Sequence, residues 1–300
     1  MLLAGRRHSP CPFDWGYGMT VCIGAKDHGE NIILASDHKV NVHGGEFTAD
    51  DTALKCKPLT ATWDVMHAGN DITLVPPILR DAYESLLTTY GDRVYSRTEV
   101  SDAVVGSYQR AVMKRAAQLY LALYNMDVPM FFRDGVQYFG ESDAALMRQR
   151  LESVVVDCDF LVCGHDADRR AHVFSVDRGV ANFLDIGFWS IGSGARLALS
   201  SLTARRHAYI KGTALAVFHV CEATFVAENA SDVGTATFLV IRHKSGKTKL
   251  FTKEQIDEIR QQWEHYCRPK YPPDAIKRHH RHAEPDGIAH AAICASDLRN

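Results

Sequence analysis

Cysteine pairing signals are missing from this sequence. Its eight cysteines, Cys11, Cys22, Cys56, Cys158, Cys163, Cys221, Cys267 and Cys294, form no CxxC pair, and most fall within strand- or helix-like runs. They read as buried thiols kept in a reducing compartment. Long apolar runs are absent too: none approaches the roughly 20 residues needed to cross a bilayer. The opening Met1-Leu2-Leu3-Ala4-Gly5-Arg6-Arg7 lacks the long apolar centre of a signal peptide. A cytoplasmic location is therefore expected. Charge of one sign is also scarce, with 34 basic and 36 acidic residues and a net charge of −2. That balance argues against broad binding to nucleic acid or anionic membrane, which requires a basic excess.

What is present is the composition of a globular chain: 300 residues, 46% apolar and 23% charged. That length buries a core of ordinary density in one large domain or two smaller ones. Met1 to Gly18 has two arginines, Pro10, Pro12 and three aromatics without periodicity, and reads as a leader or as an extension upstream of the true start codon. The tail from 267 to 300 is histidine-rich and expected to be disordered.

Between these ends the chain is patterned. Thr20–Ala25 and Asn31–Asp37 read as strands joined by an Asp27-His28-Gly29-Glu30 turn, the apolar run at 32–35 implying burial on both faces. Residues 41–51 are polar and glycine-bearing and read as a loop. Short strands follow at 53–57 and 63–68. One helix is expected from about residue 75, where Pro76 and Pro77 fit a first turn, and another from about Thr98 through Leu123. Residues 126–150, with Pro129, Gly135 and Gly140, read as an insertion with a short helix near its end. Strands are expected at 153–156, 160–164, 172–176, 180–184 and 188–191, helices at 195–204 and 213–227, strands at 235–242 and 248–251, and a last helix at 254–266. Blocks of strands alternating with pairs of helices favour antiparallel sheets with helices packed outside.

The stretch around which the rest is organised is Met19-Thr20-Val21-Cys22-Ile23-Gly24. A methionine before a small residue is what an aminopeptidase trims, so initiation at Met19 would leave Thr20 with both a hydroxyl and a free α-amine. One residue would then carry a nucleophile and its base, the amine having a reference pKa near ~8.

This stretch, with Ala35-Ser36-Asp37, Lys55 and Leu59, Ala68-Gly69, Phe160-Leu161-Val162-Cys163-Gly164-His165-Asp166, His172-Val173-Phe174-Ser175-Val176-Asp177 and Ile191-Gly192-Ser193-Gly194, resembles the proteasome β-subunit family of N-terminal-nucleophile (Ntn) hydrolases and its bacterial, Anbu-type relatives. The resemblance spans roughly residues 19–252. It implies a domain over 19–266 with a four-layer αββα sandwich, two antiparallel sheets with flanking helices. It also implies a threonine-type endopeptidase that acts in a ring or related homo-oligomer, with an ATPase unfoldase delivering protein substrates. Thr20 would be the nucleophile, Lys55 the cation favouring deprotonation, Asp37 its carboxylate partner, Gly69 an oxyanion N–H donor and Ser193 the serine beside the terminal amine. The family's Asp-x-x-Ser pair corresponds to Glu228 and Ser231, or in another alignment to Asn229 and Asp232. No metal or organic cofactor is implied, and residues 41–52 and 70–73 are expected to line the substrate pocket. Glycine, usual before the threonine in self-processing members, is replaced by Met19.

Other readings compete. The same fold serves non-catalytic assembly subunits, in which residues 1–18 stay attached, and Ntn amidohydrolases that act on small amides. Ser190-Ile191-Gly192-Ser193-Gly194-Ala195 could be half of a dinucleotide-binding turn, but the third glycine is absent and Lys211-Gly212 stands where an acidic ribose ligand is wanted. His279-His280-Arg281-His282 carries metal-binding side chains, of a kind that binds weakly and incidentally in a disordered tail.

Overall fold

A computed structural model describes residues 20–42, 47–49, 54–183, 185–209, 212–230 and 233–268. The leader at 1–18 and the tail from 269 lie outside them. The chain divides into two compact units, Met1–Arg260 and Gln261–Asn300.

The first unit is mixed α+β with two antiparallel five-stranded sheets. Sheet I runs in the order β10 (Phe188–Ile191), β1 (Cys22–Lys26), β2 (Ile32–Asp37), β11 (Thr237–Arg242), β12 (Thr248–Leu250). Sheet II runs β5 (Cys56–Pro58), β6 (Trp63–Gly69), β7 (Cys158–His165), β8 (Ala171–Asp177), β9 (Val180–Phe183). The β1–β2 turn is set locally: the Asp27 carboxylate accepts from the Gly29 and Asn31 N–H groups, and Glu30 takes a left-handed φ of 60°. Every residue of β2 is buried, as its continuous apolar run requires.

Side chains from the two sheets share a core. Cys22, Ile32 and Leu34 of sheet I pack with Met66, Leu161, Cys163 and Val173 of sheet II. A part-buried ion pair also joins the sheets, with Arg242 of β11 donating two 2.6 Å hydrogen bonds to the buried Asp64 of β6. Helices α1 (Val75–Tyr90) and α2 (Arg97–Ala116) pack on sheet II through Ile78, Ala82, Leu86, Val100 and Val104 against Val65, Phe160, Val162 and Phe174. Helices α4 (Ala195–Ala204) and α5 (Thr213–Ala227) pack on each other, and α5 lies against β1 and β2. The burial of α5 on nearly every side follows from its almost wholly apolar sequence.

Several sequence expectations are corrected. Residues 40–49 are not simply a loop: β3 (Val40–Val42) and β4 (Phe47–Ala49) pair as an antiparallel hairpin. The expected insertion is a long helix, α3 (Val128–Glu152), which tolerates Pro129 in its first turn and is broken at Gly140, where φ is 77°. With α2's end it has a small core of its own, around Leu121, Phe131 and Leu151. Residues 153–156 form no strand, because Ser153 caps α3 and the ladder begins at Cys158. α2 starts at a capping box of Ser96 and Glu99, ahead of Thr98. The last helix, α6, spans Lys253–Tyr266. In the second unit the Cys267 and Arg268 N–H groups both donate to the Trp263 carbonyl, turning the chain after this helix.

Among the described residues five thiols are buried. Burial pushes Cys22 and Cys221 up to about 12 and raises Cys56, Cys158 and Cys163 well above their ordinary range. The unfolded chain releases these protons near 9 while the folded chain retains them, so stability falls as pH rises past 9. Each thiol contributes a slope of up to about 1.4 kcal/mol per pH unit. Urea midpoints measured under reductant should therefore drop steeply between pH 8.5 and 10.5, and less steeply in Cys221→Ala. A midpoint that stays level through pH 10.5 would contradict this burial.

Candidate active site

The antiparallel topology gathers particular strand termini at one end of the sheets. β1 begins just after Thr20, β2 ends at Asp37, β5 begins just after Lys55, β6 ends at Gly69 and β10 ends just before Gly192. Strand pairing fixes these ends together: Cys22 faces both Ser36 and Ile191 across the ladders. In addition, the His67 N–H donates to the Lys55 carbonyl and the Cys22 thiol to the His67 carbonyl.

Three side chains meet there out of solvent. Thr20 is 3% exposed, Asp37 0% and Lys55 5%. The Thr20 hydroxyl donates to Asp37 Oδ1 at 2.6 Å, and Lys55 Nζ donates to the same oxygen at 2.7 Å and to Thr20 Oγ1. Asp37 Oδ1 also accepts from the Val21 N–H at 2.9 Å, while Oδ2 accepts from the Gly234 and Lys39 N–H groups. A carboxylate so buried needs such donors and a cation to offset its loss of water. The arrangement leaves the hydroxyl between an acceptor and a positive charge, the setting in which its proton is most easily displaced.

Ser193 holds the other side of Thr20. The Thr20 N–H donates to Ser193 Oγ at 3.1 Å, and Ser193 Oγ and the Gly194 N–H both donate to the Thr20 carbonyl. Glycine is required at 192: φ is 93°, and a Cβ there would lie 2.4 Å from the Thr20 carbonyl oxygen. In the uncut chain the Thr20 nitrogen is a peptide nitrogen, so an amine at this place requires cleavage of the Met19–Thr20 bond.

The remaining expected residues fall differently. Gly69 ends β6 opposite Cys158, with φ of 131°, at the end of the sheets where Thr20 lies. Glu228 caps α5 and accepts two hydrogen bonds, of 2.7 and 2.5 Å, from the Arg260 guanidinium. Its longer side chain serves an ion pair rather than the shorter reach an aspartate would have. Ser231, with Asp232, lies outside the described residues. The Asn229 side chain donates to the Val226 carbonyl. Of the expected pocket segments, 43–46 and 50–52 are also outside the described residues.

Sequence reasoning missed one contributor. Gly234 brings its N–H onto Asp37, and a Cβ there would lie 2.7 Å from Lys39 Cβ. The only sequence signal was a glycine just before a strand. Cys22, two residues from the hydroxyl, was read as core, and its chemistry agrees with that reading. Burial outweighs the neighbouring Lys55 and pushes the thiol up to about 12, so it is no thiolate at neutral pH. His67 is pulled down to about 4, chiefly by burial and then by Lys57 and Lys55, and is neutral there as well.

Protein-family models yield no match to this chain, and a search of curated proteins yields no relative. The chemistry therefore rests on the residues themselves. Lys55→Ala would leave the Asp37 carboxylate buried without its cation, and is expected to cost about 3–5 kcal/mol in urea unfolding. Asp37→Asn combined with Lys55→Ala should cost less than the sum of the single changes; strict additivity would show that the pair is not coupled.

Proposed function

We propose that this chain is a proteasome-like threonine peptidase of the Ntn-hydrolase type, with helices α1–α2 and α4–α5 covering its two sheets as a four-layer αββα sandwich. The observation that carries the reading is the convergence of the Thr20 hydroxyl on Asp37 and Lys55 while its nitrogen rests on Ser193.

Once the Met19–Thr20 bond is cut, the neutral amine takes the hydroxyl proton as Oγ1 attacks a peptide carbonyl. The oxyanion that forms faces the Gly69 N–H, and the amine passes its proton to the leaving amine as the C–N bond breaks. Water, deprotonated by the same amine, then hydrolyses the Thr20 ester and returns the hydroxyl. Lys55 and Asp37 stay as a fixed pair throughout, which stabilises the alkoxide-like oxygen without reorganisation. Peptide substrates, a homo-oligomeric assembly, an ATPase partner and a cytoplasmic setting belong to this proposal.

A second reading has its own support: in the uncut chain the Thr20 nitrogen is an amide and donates to Ser193 as such, which suits a non-catalytic subunit of the same fold. Mass spectrometry of untagged protein purified from its native host separates the two by showing whether the mature chain starts at Thr20. For protein that does, Thr20→Ala should lower hydrolysis of an unfolded protein at least about 10³-fold with little change in melting temperature. Wild-type turnover in that variant would end the assignment.

A further inference from the structure

Beyond the Thr20 cluster, a second set of hydrogen bonds converges on the turn after β6, and it begins on the far side of sheet II. Asp71 Oδ2 accepts from Arg115 at 2.5 Å and from the Asp157 N–H at 2.8 Å, while the Asp71 N–H donates to the Asp157 carbonyl at 3.0 Å. Asn70 Nδ2 donates to Asp157 Oδ2 at 2.6 Å. Residues 70 and 71 are thus stitched three times to Asp157, which precedes Cys158, the ladder partner of Gly69. The Gly69 peptide is confined between these bonds, since a Cβ at 69 would lie 2.3 Å from the Asp157 carbonyl oxygen.

We propose that Arg115 and Asp71 are positioning residues that fix the direction of the Gly69 N–H, an inference that rests on the hydrolase reading of Thr20 and Gly69. Arg115 sits in the last turn of α2, directly before a π-helical turn at Ala117–Leu121. Such turns re-aim the side chains around them and recur at functional positions. From there the guanidinium crosses to Asp71 and lines, with Ile78 and Ala111, a groove of about 640 Å³ between α1 and α2. The site around Thr20 constrains the nucleophile, and this brace constrains the opposite wall, where an oxyanion forms. Loosening the turn at 70–71 frees the preceding 68–69 peptide, and a rotation of that peptide of a few tens of degrees removes the donor without disturbing Thr20.

A merely structural role predicts something else. Arg115 and Asp71 are about a third and a quarter exposed, and a pair of that exposure contributes ~0–1 kcal/mol to stability. The test is Arg115→Ala and Arg115→Lys in processed full-length protein, with kcat and KM on a fluorogenic peptide and amide hydrogen exchange at 69–71 and 157. Arg115→Ala is expected to lower kcat by roughly 10- to 100-fold, part of the 10²–10³ that a lost oxyanion donor costs, with KM within about twofold. Amide exchange at Asp71 and Asp157 should rise by about tenfold, while β11 stays unchanged. Arg115→Lys should recover part of both. Unchanged kcat, or a fall in kcat with unchanged exchange at Asp71 and Asp157, overturns the brace. If wild-type protein starting at Thr20 hydrolyses nothing, the hydrolase reading fails instead; unchanged exchange in Arg115→Ala then overturns the brace as well, and raised exchange upholds it as a device that holds the turn.

Discussion

The ion pair between Asp37 and Lys55 is the constraint on which the rest of this end of the molecule depends. Both groups are nearly or fully withdrawn from water, where two charges are tolerated only if every oxygen and proton finds a partner. Asp37 meets that demand with one cation, one hydroxyl and three backbone N–H groups drawn from the starts of β1, of β3 and of the β11 approach. The pair therefore holds together segments distant in sequence, from Thr20 to Gly234. Hydrophobic residues of matching volume would stabilise the fold at least as well. Burying charges at the hydroxyl of one threonine makes sense when that hydroxyl has to be ionised or moved, and poor sense otherwise.

Topology explains why such a cluster forms here. In antiparallel sheets the chain returns to the same end at every second turn, so the termini of β1, β2, β5, β6 and β10 collect there without any long loop having to cross. The opposite end is closed differently, by the Asp27 turn and by the Arg242–Asp64 pair between the sheets. Rigid ladders deliver Thr20, Asp37 and Lys55 to within hydrogen-bonding distance, and close approach at Gly192 and Gly234 lets the backbone come near enough to add its own donors. Preorganisation of this kind belongs to strand ends on a packed core, because a loop would lose more entropy in holding the same geometry.

Much of the fold was legible in the sequence because periodicity and turn chemistry agreed. The wholly buried β2 announced itself by an uninterrupted apolar run, and α1 by two prolines that only a first turn accepts. Where local signals conflicted, the reading failed for identifiable reasons. The paired strands β3 and β4 are only three residues each, and the polar, glycine-bearing sequence of this stretch looked like loop. α3 hides a helix behind Pro129 and Gly140, of which the first is harmless at the first turn and the second marks a break within a helical run. The site was legible only through a family resemblance: nothing in periodicity says that Thr20 and Lys55 meet. Glu228 shows the converse, since matching the spacing of a motif did not fix its partner, and the nearby Arg260 took the carboxylate. The brace from Arg115 to Asp71 carried no sequence signal, as an arginine on a helix and an aspartate 44 residues earlier look like two solvated charges.

The character of the charge pair bears on which chemistry the site favours. A lone lysine beside an N-terminal amine would hold that amine neutral by repulsion but would also lose its own proton more readily, since the two groups would compete. With Asp37 bound to Lys55, the net field of the pair at a neighbouring amine is small. In the proposed hydrolase the amine then needs little tuning, because its reference value near ~8 already leaves a useful neutral fraction at pH 7. The same pair acts strongly on the nearer hydroxyl, which touches both members. Cys22 cannot substitute for that hydroxyl, since its thiol is kept protonated by burial despite lying close to the same cation. In the proposed hydrolase the pair acts at one oxygen while the nearby Cys22 and His67 stay uncharged, and that asymmetry between Thr20 and its neighbours is the physical content of the proposal.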